Sequence, residues 1–377
     1  MSNAGVPFDT EGWRGRLKWV EEEKDRLGLA LKELAPEHPD GKGWNWGSWQ
    51  QVLRAFSLLG VELSDTREET ISRCDHPLAK ILLEYRKASK VTSTYGQKLL
   101  DKVEEDGRIC ASWWQIGAAT GRMACSSPNL QNLPPTVRRH VRAPERCVLV
   151  KADYSQIELR IAAKISGDER MLEAYERGDD LHSITARGIT GKEEITKEER
   201  KLAKAVNFGL LYGQGAEGLR NYARGSYGVE MSLEDARRYR QRFFQTYPGI
   251  RAWHEREWDE LKWGNTETRT LTGRRRTGIR SFNERVNSPV QGTGADGLKL
   301  ALALLYERRD GCPGAVPILA VHDEIVVECD EDRVKEVQAC LEGAMRDGMD
   351  ELLNGPGVEG PCVPVEVEIE SSRSWGG

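Results

Sequence analysis

Two apolar runs that each close on a carboxylate, set far apart in the chain, constrain the fold more than any other feature of this sequence. The first, CVLVKAD at 147–153, reads as a buried strand finishing on Asp153. The second, VPILAVHDEIVVECD at 316–330, reads as two short strands about a tight acidic turn that holds Asp323. If these strands share one sheet, Asp153 and Asp323 converge at its edge. The closing stretch VPVEVEIESS at 363–372 alternates like a half-buried strand. Read on its own, each Asp merely ends a strand or supports a turn, and that reading stays open at this level. As a pair, they are the donor set that a hard Mg²⁺ ion takes together with substrate phosphates.

Between the runs the chain is mostly helical. SQIELRIAAKISG (155–167) follows the first strand as a helix, and one from about Asp332 to Leu353 follows the second pair. Thr196 and Glu199 form a capping box that opens a helix running to about Tyr212, ahead of Gly213 and Gly215. The first hundred residues contain two long helices. One spans TEGWRGRLKWVEEEKDRLGLALKELA (10–35) with Thr10 as its cap, and the other runs from about Pro77 to Leu100 with Leu78, Ile81, Leu82 and Tyr85 on one side. The Pro/Gly-rich EHPDGKGWNWG (37–47) separates them, an arrangement that suits an arm more than a compact core. Strands and helices do not alternate regularly, so an α+β fold is expected.

Composition excludes other classes. At 31% charged and 38% hydrophobic, the 377 residues match a globular chain. No run reaches the roughly eighteen apolar residues of a membrane span. The eight cysteines lack metal-knuckle spacing, which fits a reducing, cytoplasmic setting. The net charge of −5 argues mildly against nucleic acid, so any such partner must be held by local charge. Basic clusters exist at Arg138, Arg139, Arg142 and Arg146 and at Arg274, Arg275 and Arg276.

The capped helix carries a stripe. Arg200, Lys204, Phe208 and Tyr212 recur every fourth residue, so at about 100° per residue they stay on one side. A triphosphate lying along it would meet charge at one end and rings at the other. A basic solvent face is the plainer alternative.

DYSQIELR (153–160), the R-x-x-x-K-x-x-x-F-x-x-x-Y-G stripe (200–213) and VHDE (321–324) resemble the three polymerase motifs of family A, the polymerase I-like DNA polymerases, in that family's order. TGRMACSSPNLQNLP (120–134), TLTGRRR (270–276) and SPVQGTGADGLKLAL (288–302) match as well, so the resemblance covers essentially the whole chain. It implies a right-hand fold with an antiparallel palm sheet. The thumb and its N-terminal lead-in would take residues 1–100, the palm 101–175 and 285–377, and the fingers 176–284. It also implies template-directed DNA synthesis from a primer 3′ end, in replication or repair, by a monomer acting on primer-template DNA and deoxynucleoside triphosphates. Two Mg²⁺ ions, for which Mn²⁺ can substitute, would be the cofactors.

The same resemblance implies the roles of single residues. Asp153 and Asp323, with the backbone carbonyl of Tyr154, would ligate the metals, and Glu324 would support them. Arg200, Lys204 and His182 would hold the triphosphate, with Lys204 placed to protonate the leaving pyrophosphate. Gln156 would belong to the nucleotide site. Phe208 would stack on the nucleotide, Tyr212 would guard the templating position, and Glu158 would exclude a ribose 2′-hydroxyl. Arg122, Asn129, Asn132, Asn287, Gln291 and His322 would read the minor groove near the primer end, and Lys90 would touch duplex phosphates.

The sequence departs from the family in two places. Asn283 stands where bacterial members carry an arginine, with Arg285 the nearest one, and the segment before Asn287 is short. The segment that normally follows an exonuclease-type domain, GVPFDTEGW, begins at Gly5, so no proofreading is expected of this chain. A single-subunit RNA polymerase, a reverse transcriptase and a catalytically dead DNA-binding subunit are the alternatives. Glu158 and the Phe208–Tyr212 spacing argue for DNA synthesis and so against the first, the choice of template stays open, and the intact acids and cations argue against the last.

Overall fold

The computed structural model describes residues 1–312 and 314–376. Pro313 and Gly377, both within the 285–377 segment, lie outside the described residues. The chain divides into two compact units. One is built from Gly5–Cys110 and Leu133–Arg142, the other mainly from Ala111–Asn132 and Ala143–Trp375.

In the first unit, helices α1 (Thr10–Leu34) and α2 (Pro77–Tyr95) pack along each other. Leu31, Val52, Phe56, Ile71, Leu78 and Leu82 form its apolar core. The cap of α1 is Asp9, not Thr10: its carboxylate accepts from the Gly12 amide at 2.9 Å, while the Thr10 hydroxyl turns back to the Phe8 carbonyl. Helix α2 also stops earlier than its apolar pattern suggests. At Gly96 the chain folds back so tightly that a Cβ there would lie 2.1 Å from the Thr92 carbonyl oxygen. Only a glycine permits that approach.

The second unit is organised by a four-stranded antiparallel sheet made of β1 (Cys147–Tyr154), β2 (Val316–Val321), β3 (Glu324–Asp330) and β4 (Val367–Ser372). The spatial order is β4-β1-β3-β2. The sheet therefore joins the two acid-bearing runs directly. Asp153 faces Glu324 on one side and Glu368 on the other, and the β2–β3 hairpin turns through His322 and Asp323. Strand alternation sends Ala152 and Tyr154 into the core and leaves Asp153 on the opposite face. The Tyr154 hydroxyl donates to the Met345 carbonyl at 2.7 Å and locks that register.

Helices close around the sheet. α3 (Ile157–Ser166) follows β1 at once and ends at left-handed Gly167. α4 (Leu181–Thr190) and α5 (Lys197–Leu211) pack on each other, and Thr196 with Glu199 caps α5 by both bonds of the box. α6 (Phe282–Glu307) crosses α7 (Val334–Asn354), which lies on the sheet. Gly348 lets them meet, since a Cβ there would sit 2.8 Å from the Ala301 amide nitrogen. No helix among the described residues is long and apolar enough to cross a membrane.

Candidate active site

A cleft of roughly 680 Å³ opens at the acid-bearing end of the sheet. It gathers Arg122, Asp153, Tyr154, Gln156, Glu158, His182, Arg200, Lys204, Phe208, Tyr212, Gln291, His322 and Asp323. These residues come from the loop before Ala124, the β1–α3 junction, α4, α5 and the residue that ends it, the β2–β3 turn and α6, so only tertiary packing assembles them.

The acids are the least compensated charges in the cleft. Asp153 Oδ1 is buried and has no hydrogen-bond partner. Burial, then the negative charges of Asp323, Glu324 and Glu368, pushes the Asp153 carboxyl up to about 7. Burial and the charge of Glu158 also raise Asp323. A buried carboxylate oxygen without a partner, beside a second carboxyl that burial also raises, is suited to a divalent cation. Tyr154 adds only backbone, because its side chain points into the core. Among the described residues no group of three or more His, Cys, Asp or Glu is arranged to hold a metal. Two carboxylates and a carbonyl leave the remaining positions to water and phosphate, which is how Mg²⁺ is commonly bound. Glu324 does not line the cleft. It accepts from Trp375 Nε1 at 2.7 Å and lies 3.9 Å from Lys151 Nζ.

Facing the acids is the stripe. All four members of α5 reach the cleft, Lys204 and Arg200 exposed, Phe208 and Tyr212 half-buried. Arg200 pairs with Asp180 through Nε at 2.7 Å and a terminal nitrogen at 3.1 Å, and Asp180 also caps α4. Burial works against the Asp180 charge, yet hydrogen bonds from Arg200 and Ser183 hold its carboxyl down at about 2. Tyr212 donates to Glu158, which also pairs with Arg122. Glu158 is thus clamped at the cleft wall from two sides. His182 lies inside α4 at 3% exposure, its ring 6.1 Å from that of Phe208.

The duplex-reading residues scatter more widely. Arg122, Gln291 and His322 line the cleft, His322 with a left-handed φ of 56° at the turn. Asn287, half-buried on α6, has an orphaned Oδ1. Asn129 and Asn132 are exposed at a one-turn 3₁₀ helix outside the cleft, and Lys90 is exposed on α2 in the other unit. Arg285 is no surface substitute for the arginine replaced by Asn283. It is 4% exposed, ion-paired to Glu257 at 2.7 Å and bonded to the carbonyls of Asn265 and Glu267. Asn283 instead donates to the Tyr212 carbonyl at the end of α5. The TLTGRRR arginines are likewise tied up, Arg274 to Asp296, Arg275 to Glu267 and Arg276 to Glu284.

Four cleft residues had no role in the sequence reading: Ser155 and Ile157, which flank Gln156, and Glu368 and Tyr222. Glu368 is brought in by its register opposite Asp153, a signal latent in the alternation of 363–372. Tyr222 arrives on the helix Ala216–Tyr227, and no local pattern singles it out.

The profile of DNA polymerase family A matches residues 57–377. The chain is 45% identical to DNA polymerase I of Aquifex aeolicus, over 98% of its own length and 64% of that protein. It is 35% identical to the thermostable DNA polymerase I of Thermus aquaticus, over 100% of its length but 46% of that one. The chain thus spans less than two thirds of these relatives. Among solved structures, the POL domain of Pol1 from M. smegmatis, in complex with DNA primer-template and dNTP, superposes with a TM-score of 0.84. That match has 27% identity and covers 99% of this chain and 68% of the other.

Proposed function

This chain belongs to DNA polymerase family A, and from that premise we propose that it extends a DNA primer on a DNA template with deoxynucleoside triphosphates. The observation that carries the reading is the cleft itself. Two half-buried carboxylates, one with an oxygen that has no partner, share it with a cation–cation–ring–ring stripe. Asp153, Asp323 and the Tyr154 carbonyl would hold two divalent cations, Mg²⁺ or Mn²⁺. When bound, these supply charge neutralisation at the α-phosphate and lower the pKa of the primer hydroxyl.

The remaining steps belong to the chain's own residues. Arg200 and Lys204 bind the triphosphate through its charge. Lys204, an exposed ammonium, is the donor available to the departing pyrophosphate. Phe208 offers a ring face to the nucleotide. Glu158, pinned by Arg122 and Tyr212, cannot swing away from the space beside the sugar, so a 2′-hydroxyl would meet a fixed carboxylate. Positioning and electrostatics carry such a transfer.

We assign the thumb to 1–100, the palm to 101–175 and 285–377 and the fingers to 176–284. Gly5–Cys110 falling in one compact unit, together with Leu133–Arg142, supports the first of these. The chain would act as a monomer. Eight free thiols fit a reducing compartment, at the cytoplasmic nucleoid, a phage replication site or an organelle. Trimming of a primer end is not assigned to these residues.

The deciding experiment is primer extension with Mg²⁺, run with deoxy- and ribonucleotides on DNA and RNA templates. Extension by deoxynucleotides on DNA is expected, and failure of that arm alone would overturn the proposal. A labelled primer with a mismatched end, incubated without nucleotides, should keep its length.

A further inference from the structure

A buried polar chain runs behind His182 and is not used by any role assigned above. Asn207 sits on the inner side of α5, 1% exposed, one residue before Phe208. Its Nδ2 lies 2.8 Å from His182 Nδ1, and its Oδ1 lies 2.8 Å from the Thr185 hydroxyl. Thr185 is fully buried on α4, and its hydroxyl is 2.7 Å from that of Tyr247, itself 1% exposed. The Thr185 hydroxyl also lies 2.9 Å from the Leu181 carbonyl, so its one proton is shared between two acceptors, and it is the orientation of the Asn207 amide that sets the direction of the chain. Tyr247 donates to Thr185, Thr185 donates to Asn207 Oδ1, and Asn207 donates to His182 Nδ1.

We propose that Tyr247, Thr185 and Asn207 act as positioning residues that fix His182 as an Nε2–H tautomer, so that it presents a hydrogen-bond donor to the triphosphate of the incoming nucleotide. The assignment rests on the polymerase reading for its ligand, but not for its tautomer.

The chemistry follows from the acceptor state of Nδ1. An imidazole that accepts at Nδ1 while neutral must carry its proton on Nε2, the only ring nitrogen left for the cleft. Burial, reinforced by Arg200 and Lys204 against the opposing charge of Asp180, lowers the His182 pKa to about 4, so the neutral ring is the working form. The opposite tautomer would aim a lone pair at phosphate oxygens beside Arg200 and Lys204. An orienting partner behind a functional histidine is a general device. Here it is an amide, which unlike a carboxylate adds no negative charge near a triphosphate.

The test separates the tautomer from the activity. Long-range ¹H–¹⁵N spectra of histidine-labelled protein report each ring's protonated nitrogen without any nucleotide present. The parent should show His182 as Nε2–H, identified by loss of its signals in His182→Gln. Asn207→Asp, which offers an acceptor to Nδ1, should move the proton to Nδ1 or charge the ring. In steady-state extension, Asn207→Asp and Thr185→Val should each raise the KM for deoxynucleotide roughly tenfold with a much smaller change in kcat, the loss of one hydrogen bond to a charged group. Thr185→Ser, which keeps the hydroxyl, should restore parent values. In the His182→Gln background, the Asn207 and Thr185 substitutions should no longer matter.

An Nδ1–H tautomer in the parent overturns the proposal, as does an unchanged spectrum in Asn207→Asp. Undiminished Asn207 and Thr185 effects in His182→Gln would show that those residues act on something else. If the spectra behave as expected but no extension occurs, the tautomer assignment stands and the polymerase reading falls.

Discussion

Between about pH 7.5 and about pH 4.5, the parent chain is expected to lose folding free energy that a His254→Gln chain keeps. His254 lies on the helix Pro248–Lys262 at 7% exposure, and its Nε2 sits 3.0 Å from the carbonyl of Leu211, the last residue of α5. It is packed between the rings of Phe244 and Phe282, at centroid distances of 5.5 and 5.3 Å. Burial dominates its titration and, with the charge of Arg240, outweighs the Leu211 bond to bring its pKa from 6.5 to about 4. The folded pKa is depressed below the unfolded one, so the unfolded state takes up the proton first. Stability is untouched above about pH 7.5 and falls as pH drops through 6.5 towards 4. Each tenfold weakening of proton binding in the folded state corresponds to about 1.36 kcal/mol, so the loss should be about 2.5 kcal/mol at about pH 4.5 and approach about 3.4 kcal/mol at lower pH.

Glutamine keeps an N–H for the Leu211 carbonyl and does not titrate in this range. His182 and the carboxylates remain in both proteins, so their contributions cancel in the difference. Urea titrations followed by circular dichroism across that pH range give the difference directly. Parallel loss of stability in both chains, or an NMR titration placing His254 near its unperturbed value, would refute the argument that burial controls this ring.

Asp153→Asn should abolish Mg²⁺-dependent extension while leaving duplex binding in place. In chelator it should also stabilise the fold by on the order of 1 kcal/mol, since it removes one charge from a repelling cluster; a less stable variant in thermal melts would contradict this. Glu158→Ala should raise the efficiency of ribonucleotide incorporation relative to deoxynucleotide, and an unchanged ratio would remove Glu158 from the sugar gate. Gly249→Ala should destabilise by about 2 kcal/mol, because its Cβ would come within 2.5 Å of Asp168 Cα, a backbone atom that cannot turn aside. A urea midpoint equal to the parent's would disprove that clash.

Local rules read from the sequence account for much of this molecule. The capping box of α5, the hairpin about Asp323 and the four-residue stripe are each set by contacts within one or two helical turns, where residue type and spacing suffice. Where local rules failed, a neighbour decided. Asp9 displaced Thr10 as the cap of α1, and Gly96 ended α2 because the chain folds back onto the Thr92 carbonyl. The long-range facts lay beyond reach for the same reason. Asp153 meets Glu368 through the register of two strands at opposite ends of the second unit. Arg285 is buried because Glu257 comes from another helix. Asn207 is an ordinary inward-facing residue until α4 and Tyr247 supply its partners. Periodicity tells which side of an element is buried, but not what it is buried against, and a polar side chain takes its chemistry from whatever faces it across the packed interior.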